Sequence, residues 1–372
     1  MDEMKGFFGC RIAMECLLYK DIYEQYWRNK DNLLTVTPGI PENMPQDRFL
    51  AIWSLLHCVD ERDQGLDKND TIYKSRAIFT YLIRKFKRYY VPNCELSLDE
   101  GMIPTKNSLS IKQYIKDKLI KWGIKTFLLC DSHNGYICGA EVYTGKVNDQ
   151  DSVDNLGVTG NLLRRLTDSY QDQDYCVYVD RFYTSVTLCE YLLEKGIRLV
   201  GTAMTNRKNV PKTLIKKRNA MQRGASETLF NGNIGAIVWQ DKRPIYFVAS
   251  SFVNSPIEAV QRYDRTERKR IPVQCPKPVK CYNMYMGGTD TNDQITKLQK
   301  CRRHYKWPRR LVIKFFMWAI YNSYVIKNFL KPNEIVGKRT LTFHMYVENF
   351  AMNLLLLKDN KCCHPNVMSI KE

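Results

Sequence analysis

Apolar residues recur at three-to-four spacing along residues 4–27 (MKGFFGCRIAMECLLYKDIYEQYW), 45–59 (PQDRFLAIWSLLHCV) and 71–90 (TIYKSRAIFTYLIRKFKRYY). That period predicts three helices, the first two separated by the three prolines of TPGIPENMP. The period changes at residues 93–104 (NCELSLDEGMIP), where apolar and polar positions alternate as in a strand. IKTFLLCDS (124–132) and GYICGAEVYTG (135–145) follow as strand runs, and the Asn-Gly of His133-Asn134-Gly135 between them predicts a hairpin. Farther on, NLLRRLTDSY (161–170) reads as a helix, CVYV (176–179) as a buried strand, TLCEYLLEKG (187–196) as a helix stopped by Gly196, and IRLVGTA (197–203) as a strand. Two more β-rich runs, GAIVWQDKR (235–243) and PIYFVASSF (244–252), sit among basic segments, and helices are predicted at 311–330 and 341–357.

Strands in hairpin order followed by helix–strand–helix–strand predict an α/β fold, a mixed sheet with both faces covered by helices. The expected divisions are a helical domain at 1–92, the first part of the sheet domain at 93–205, a β-rich basic insertion at 206–280, the last part of the sheet domain at 281–335, and a C-terminal helical segment at 336–372. With 372 residues and 44% hydrophobic composition, two or three domains with real cores are expected. The longest apolar run, FFMWAIYNSYVI (315–326), is bracketed by Lys314 and Lys327 and is too short to span a bilayer, so no membrane partner is expected. Asp2, Glu3, Arg11 and Glu15 exclude a secretory signal, and the 13 cysteines then read as reduced thiols.

Charge changes the picture. The net charge is +18, yet residues 1–60 hold 6 Lys+Arg against 9 Asp+Glu, and residues 201–310 hold 23 against 7. An excess concentrated in fewer than a third of the residues points to a polyanion, and without a membrane segment that means nucleic acid. The candidate contacts are Lys121, Arg181, Arg207, Lys208, Lys216, Lys217 and Arg218, then Arg302, Arg303 and Arg309 around Trp307. An aromatic inside such a basic run suits stacking on an unpaired base.

Candidate chemistry comes from the acids. The apolar strand 176–179 runs straight into Asp180, and a buried carboxylate needs a cation or a metal. Asp99 is expected at the end of the neighbouring strand, on the ligand-binding edge of such sheets. After the turn of Gly287-Gly288, with Thr289 as a cap, Asp290 and Asp293 fall one helical turn apart on one face. Three aspartates and no nucleophile triad or phosphate loop suit Mg²⁺ or Mn²⁺, hard ions that take oxygen ligands, and two-metal chemistry at a phosphodiester.

Four blocks carry a resemblance over residues 5–357. LSLDEGMIP (96–104), KWGIK (121–125), VYVDRFYTS (177–185) and MGGTDTNDQ (286–294) resemble the transposase domain of the piggyBac family, DDE/D enzymes with an RNase H-like core. The resemblance implies that Asp99, Asp180 and Asp290 are the catalytic metal ligands and Asp293 an auxiliary acid. It further implies double-stranded DNA (transposon ends and TTAA targets) as partner, hairpin-forming excision, a homodimer and a nuclear location. Three departures stand out: Arg181 where the family has Asn, Asn107-Ser108 for its Gly-Arg, and Lys118-Leu119 for its Lys-Pro. Arg181 beside Asp180 is expected to form an ion pair with it. The resemblance also implies an acidic N-terminal extension and a cysteine-rich zinc module, and the chain is expected to lack both beyond CCHPN. A domesticated DNA-binding protein without cleavage activity is the alternative reading.

Overall fold

The computed structural model describes residues 2–16, 26–27, 39–105, 107–116, 118, 120–145, 152–216, 221–265, 268–295, 306–332, 335–336 and 339–356. Two compact units emerge, one drawn from residues 1–66, 74–78 and 295–372, the other from 67–73 and 79–294.

The first unit is helical. Helices α1 (Asp2–Cys16), α2 (Ile40–Asn43) and α3 (Gln46–Leu55) contribute Phe7, Cys10, Met14, Ile40, Phe49 and Trp53 to one core. Of helix α4 (Tyr73–Tyr89), residues 74–78 are counted with this unit and Tyr73 and 79–89 with the second.

In the second unit, β1 (Glu95–Pro104), β2 (Lys112–Tyr114), β3 (Trp122–Asp131) and β4 (Ile137–Val142) precede α5 (Gly157–Thr167). Then come β5 (Cys176–Val179), α6 (Val186–Glu194), β6 (Arg198–Thr202) and α7 (Lys212–Lys216). Strands β7 (Ser226–Asn231), β8 (Ile234–Gln240) and β9 (Pro244–Ala249) follow, with β10 (Glu258–Asp264) and β11 (Lys269–Cys275) after them. Helices α8 (Lys277–Tyr285) and α9 (Gly288–Ile295) close the unit. Back in the first unit lie α10 (Trp307–Leu330), the short β12 (Ile335–Val336) and β13 (Arg339–Thr340), and α11 (Phe343–Leu356), which packs on α1 and α10.

Nine strands form one mixed sheet in the order β2-β3-β1-β5-β6-β9-β8-β7, with β4 also on β3. Its centre is parallel: β1 pairs with β5, and β5 with β6. Both outer parts are antiparallel, β3 against β1 on one side and β9 against β6 on the other. The expected α/β fold with a mixed, helix-flanked sheet is what the chain adopts. Strands buried on both faces read as continuous apolar runs, which is why CVYV was legible. Helix α5 packs on β4, α6 on β6, and α8 on β1 and β6. A core of Tyr178, Trp239, Phe247, Val279 and Cys281 fills the α8 side. Strands β10 and β11 form a separate ribbon, tied back where Trp239 Nε1 donates to Gln274 O at 2.8 Å.

Candidate active site

Asp99 is the fifth residue of ten in β1, not its end. The expectation of a strand-end aspartate fails because β1 pairs with β3 along its whole length and so continues past its shorter neighbour. It is β5 that stops. Leu98 pairs with Val179, so Asp99 and Asp180 are the next residues in register on two parallel strands. Strands stand about 4.8 Å apart, which puts the two aspartate backbones side by side where β5 leaves the sheet.

The turn after β5 holds Asp180 firmly. Its Oδ1 accepts from Phe182 N at 2.8 Å, and its main-chain oxygen accepts from Thr184 Oγ1 at 2.9 Å. A Cβ on Gly201 of β6 would meet that Thr184 hydroxyl at 2.2 Å and Val179 O at 2.9 Å, so only glycine lets β6 lie this close. Arg207, on the loop after β6, donates to Phe182 O and fastens the same turn.

The electrostatics mark one neighbourhood. Burial pushes Asp99 up to about 7, with the adjacent Glu100 carboxylate adding to the shift. Glu100 is pushed up by burial too, but Asp99, Lys125 and Tyr183 outweigh that and bring it down to about 2. Asp180 is raised by burial above all, and by Glu100. Tyr183 is raised by burial and then by the charges of Glu100, Asp99 and Asp180, and Tyr282 of α8 also feels Asp180 and Asp99. The carboxylates therefore face a shared, poorly hydrated space.

A cation stands against it. Lys118 Nζ lies 3.0 Å from Asp99 Oδ2, with side chains 26% and 18% exposed. Burial would lower Lys118, but Asp99, Glu100 and Asp290 raise it, so it stays charged. On the far flank Lys125 Nζ pairs with Glu100 at 3.0 Å.

Asp290 is carried by α9, and its charge is felt at Lys118. A Cβ on Gly288 would stand 2.5 Å from Ser97 Oγ and 2.9 Å from Asp131 O, so this glycine lets the helix start against β1 and the end of β3. Contrary to expectation, Thr289 is not a cap but a buried residue inside the helix, its hydroxyl 3.4 Å from Leu128 O. The same close approach draws it into the sheet. Asn292 is fully buried and donates to Gly135 O at 3.2 Å, leaving Asp290 exposed.

Several expected contacts sit elsewhere. Arg181 is exposed and, contrary to expectation, forms no ion pair with Asp180; its charge only offsets in part the rise that burial imposes on that carboxylate, whose Oδ1 accepts from the Phe182 amide. Lys121 and Lys208 are exposed, the former next to Trp122, whose ring lies 4.8 Å from that of Tyr114. Trp307 and Arg309 belong to the helical unit. There Trp307 lines a cavity of about 600 Å³ with His57, Cys58 and Val59. Arg309 lies over the Trp53 ring at 5.1 Å and donates to Leu56 O at 3.3 Å, serving the carboxyl end of α3. Lys217, Arg218, Arg302 and Arg303, and the side chains of Lys216 and Asp293, lie outside the described residues. Sequence reasoning missed Lys118, Glu100, Tyr183 and Tyr282 as site residues. Glu100 was signalled by adjacency to Asp99, whereas Tyr282 had no signal.

Among the described residues no three carboxylate, imidazole or thiol groups converge as a metal cage. The donor chemistry nonetheless fits a hard divalent ion: carboxylate oxygens, raised by burial, with an ammonium now standing against one of them.

A transposase family model described as Transposase IS4 matches residues 1–324. The human piggyBac transposable element-derived protein 3 is 29% identical over 330 residues, 87% of this chain and 54% of that protein. The human piggyBac transposable element-derived protein 2 is 25% identical over 275 residues, 72% of this chain and 46% of that protein. The chain thus spans about half the length of these curated relatives. Among solved structures, a piggyBac transposase in a synaptic complex with hairpin DNA matches with a TM-score of 0.78 at 22% identity, covering 96% of this chain and 72% of that one. By the family model, with the four sequence blocks it encloses, this chain belongs to the piggyBac-type transposases.

Proposed function

We propose that the protein is a DNA transposase domain that cuts and rejoins phosphodiester bonds at transposon ends, with TTAA targets, using Mg²⁺ or Mn²⁺. The observation that carries this reading is the register of Asp99 with Asp180 on parallel strands, in a space where burial raises both carboxylates. Asp99 and Asp180 would hold the ion, with Asp290 on α9 completing the set and Asp293 assisting. Such an ion, when bound, supplies Lewis acidity toward the phosphodiester.

The chain's own groups prepare the site. Lys118 carries positive charge among the carboxylates, so a phosphate approaches them against less repulsion. The buried Tyr183 interacts with Glu100 beside them, and charge interactions are stronger in so poorly hydrated a place. Asp180 is held by the turn that Arg207 fastens, so the second carboxylate is fixed before substrate arrives. Double-stranded DNA as partner, a homodimer and a nuclear location belong to the same proposal.

Plasmid nicking in Mg²⁺ tests it. Asp99→Asn, Asp180→Asn and Asp290→Asn should each reduce cleavage on the order of a thousandfold, ~4 kcal/mol, with circular dichroism and DNA binding retained. Wild-type protein that binds DNA but never nicks it would put the domesticated binder ahead, the reading favoured by Lys118 already occupying Asp99 Oδ2.

A further inference from the structure

Helix α4 carries Lys74, Arg76, Arg84, Lys85, Lys87 and Arg88 and not one Asp or Glu. Surface helices ordinarily mix signs, because like charges three and four residues apart repel one another. Some of this bias suits the helix dipole, which favours Lys87 and Arg88 in the last turn, but Arg84 and Lys85 lie a turn earlier.

The helix has two distinct faces in the sheet unit. Phe79 and Phe86 are buried, and Tyr136 Oη donates to Phe86 O at 2.9 Å, seating this face on the β3–β4 hairpin. Opposite them stand Tyr81, Arg84, Lys85, Arg88 and Tyr89, a single stripe about 12 Å long at 1.5 Å per residue. Tyr81 is 51% and Tyr89 61% exposed. Lys85 Nζ lies over both rings, at 5.3 and 5.5 Å, while Arg84 lies over Tyr81 at 5.9 Å and Arg88 over Tyr89 at 6.0 Å. Among the described residues no carboxylate pairs with Arg84, Lys85 or Arg88.

We propose that this face of α4 is a second DNA contact, gripping the phosphate backbone of a duplex outside the carboxylate cluster. The ligand class follows from the stripe itself. Three mutually repelling cations with no counter-charge among the described residues call for a polyanion, and their spacing along one face suits a row of phosphates. The tyrosine rings already have cations over them, so they hold the cationic groups in place rather than offering a free face for base stacking. The contact is thus to the backbone and indifferent to sequence. It rests on the reading that this protein binds DNA.

The test compares the full chain with an Arg84→Gln/Lys85→Gln/Arg88→Gln variant, since glutamine keeps helix propensity. Affinity for a fluorescent duplex of arbitrary sequence is followed by anisotropy across salt concentrations in EDTA, with circular dichroism on both proteins. The expected result is a slope of log affinity against log salt that is shallower by about two to three units, with affinity at least tenfold weaker near 0.1 M salt. An unchanged slope in the triple variant overturns the proposal while leaving DNA binding intact. Wild-type protein that binds no duplex overturns the underlying reading along with it. Triple-variant-sensitive binding to anionic vesicles, with the DNA slope unchanged, overturns it in favour of a membrane surface.

Discussion

At the carboxylate cluster, Asp99 is largely buried and pushed up to about 7, and the fold delivers Lys118 to within 3.0 Å of it. On the outer face of α4, Arg84 and Arg88 are exposed and Lys85 half-buried, and among the described residues no carboxylate comes to meet them. Both regions hold an excess of one sign of charge. In the first, desolvation makes the excess expensive, and proton retention on Asp99 together with the lysine relieves it. In the second, solvent screens the excess, so nothing inside the fold has to answer it. An internal excess therefore reports on chemistry within reach of the backbone, and an external one on a partner the chain does not contain.

The contrast breaks most visibly if the two regions can be disabled separately. Gly288→Ala should push α9 away from Ser97 and Asp131 O, lowering stability by about 1–3 kcal/mol. Because Asp290 moves with the helix, nicking should fall by ten- to a hundredfold, while the salt slope of duplex binding stays as in wild type. A matched loss of binding would show that the two regions are not independent.

A smaller effect sharpens the internal half of the comparison. Between about pH 4 and pH 7 the folded chain keeps a proton on Asp99 that the unfolded chain has released, so this group's contribution falls as pH rises. Glu100 works the other way lower down: its contribution is lost as pH falls from about 4.5 toward 2. From this pair, metal-free protein should be most stable near about pH 4–5, with a decline toward neutral pH of order 1–4 kcal/mol. Thermal melts in EDTA should show that decline flattened in Asp99→Asn. A decline of equal steepness in that variant would assign it to other groups. The smallest change is expected from Arg181→Asn. With no ion pair to Asp180, the substitution should alter nicking by no more than about threefold, so a tenfold rise would show that Arg181 does reach the acid during catalysis.

The sequence revealed the strands and two of the acids by a simple local rule, an apolar run that ends in a charge. That rule finds Asp180 because β5 really does stop there. It located Asp99 but misjudged its surroundings, since the length of β1 is set by pairing with β3, a nonlocal fact. Lys118 was visible only as one lysine in a lysine-rich stretch. Its role depends on the fold carrying residue 118 back to residue 99. The runs at 234–240 and 244–249 were recognisable as strands, yet nothing in them says that β9 pairs with β6. The helix at 71–90 was read correctly from its period, but a charge count weighted toward 201–310 passed over its lack of acids.

Asp131 joins the two regions. Its fully buried carboxylate accepts from Tyr90 Oη at 2.9 Å, from Asn93 N at 2.9 Å and Nδ2 at 3.0 Å, and from His133 N at 2.8 Å. The exit of α4 is thereby clamped to the end of β3, the strand that lies along Asp99. If a duplex is held on one and cut at the other, the span between grip and cut is then a property of the folded unit, independent of any linker. Asp131 would act as the pivot pin of a gauge: loosen it, and the expected fault is not weaker binding but cleavage at the wrong phosphate.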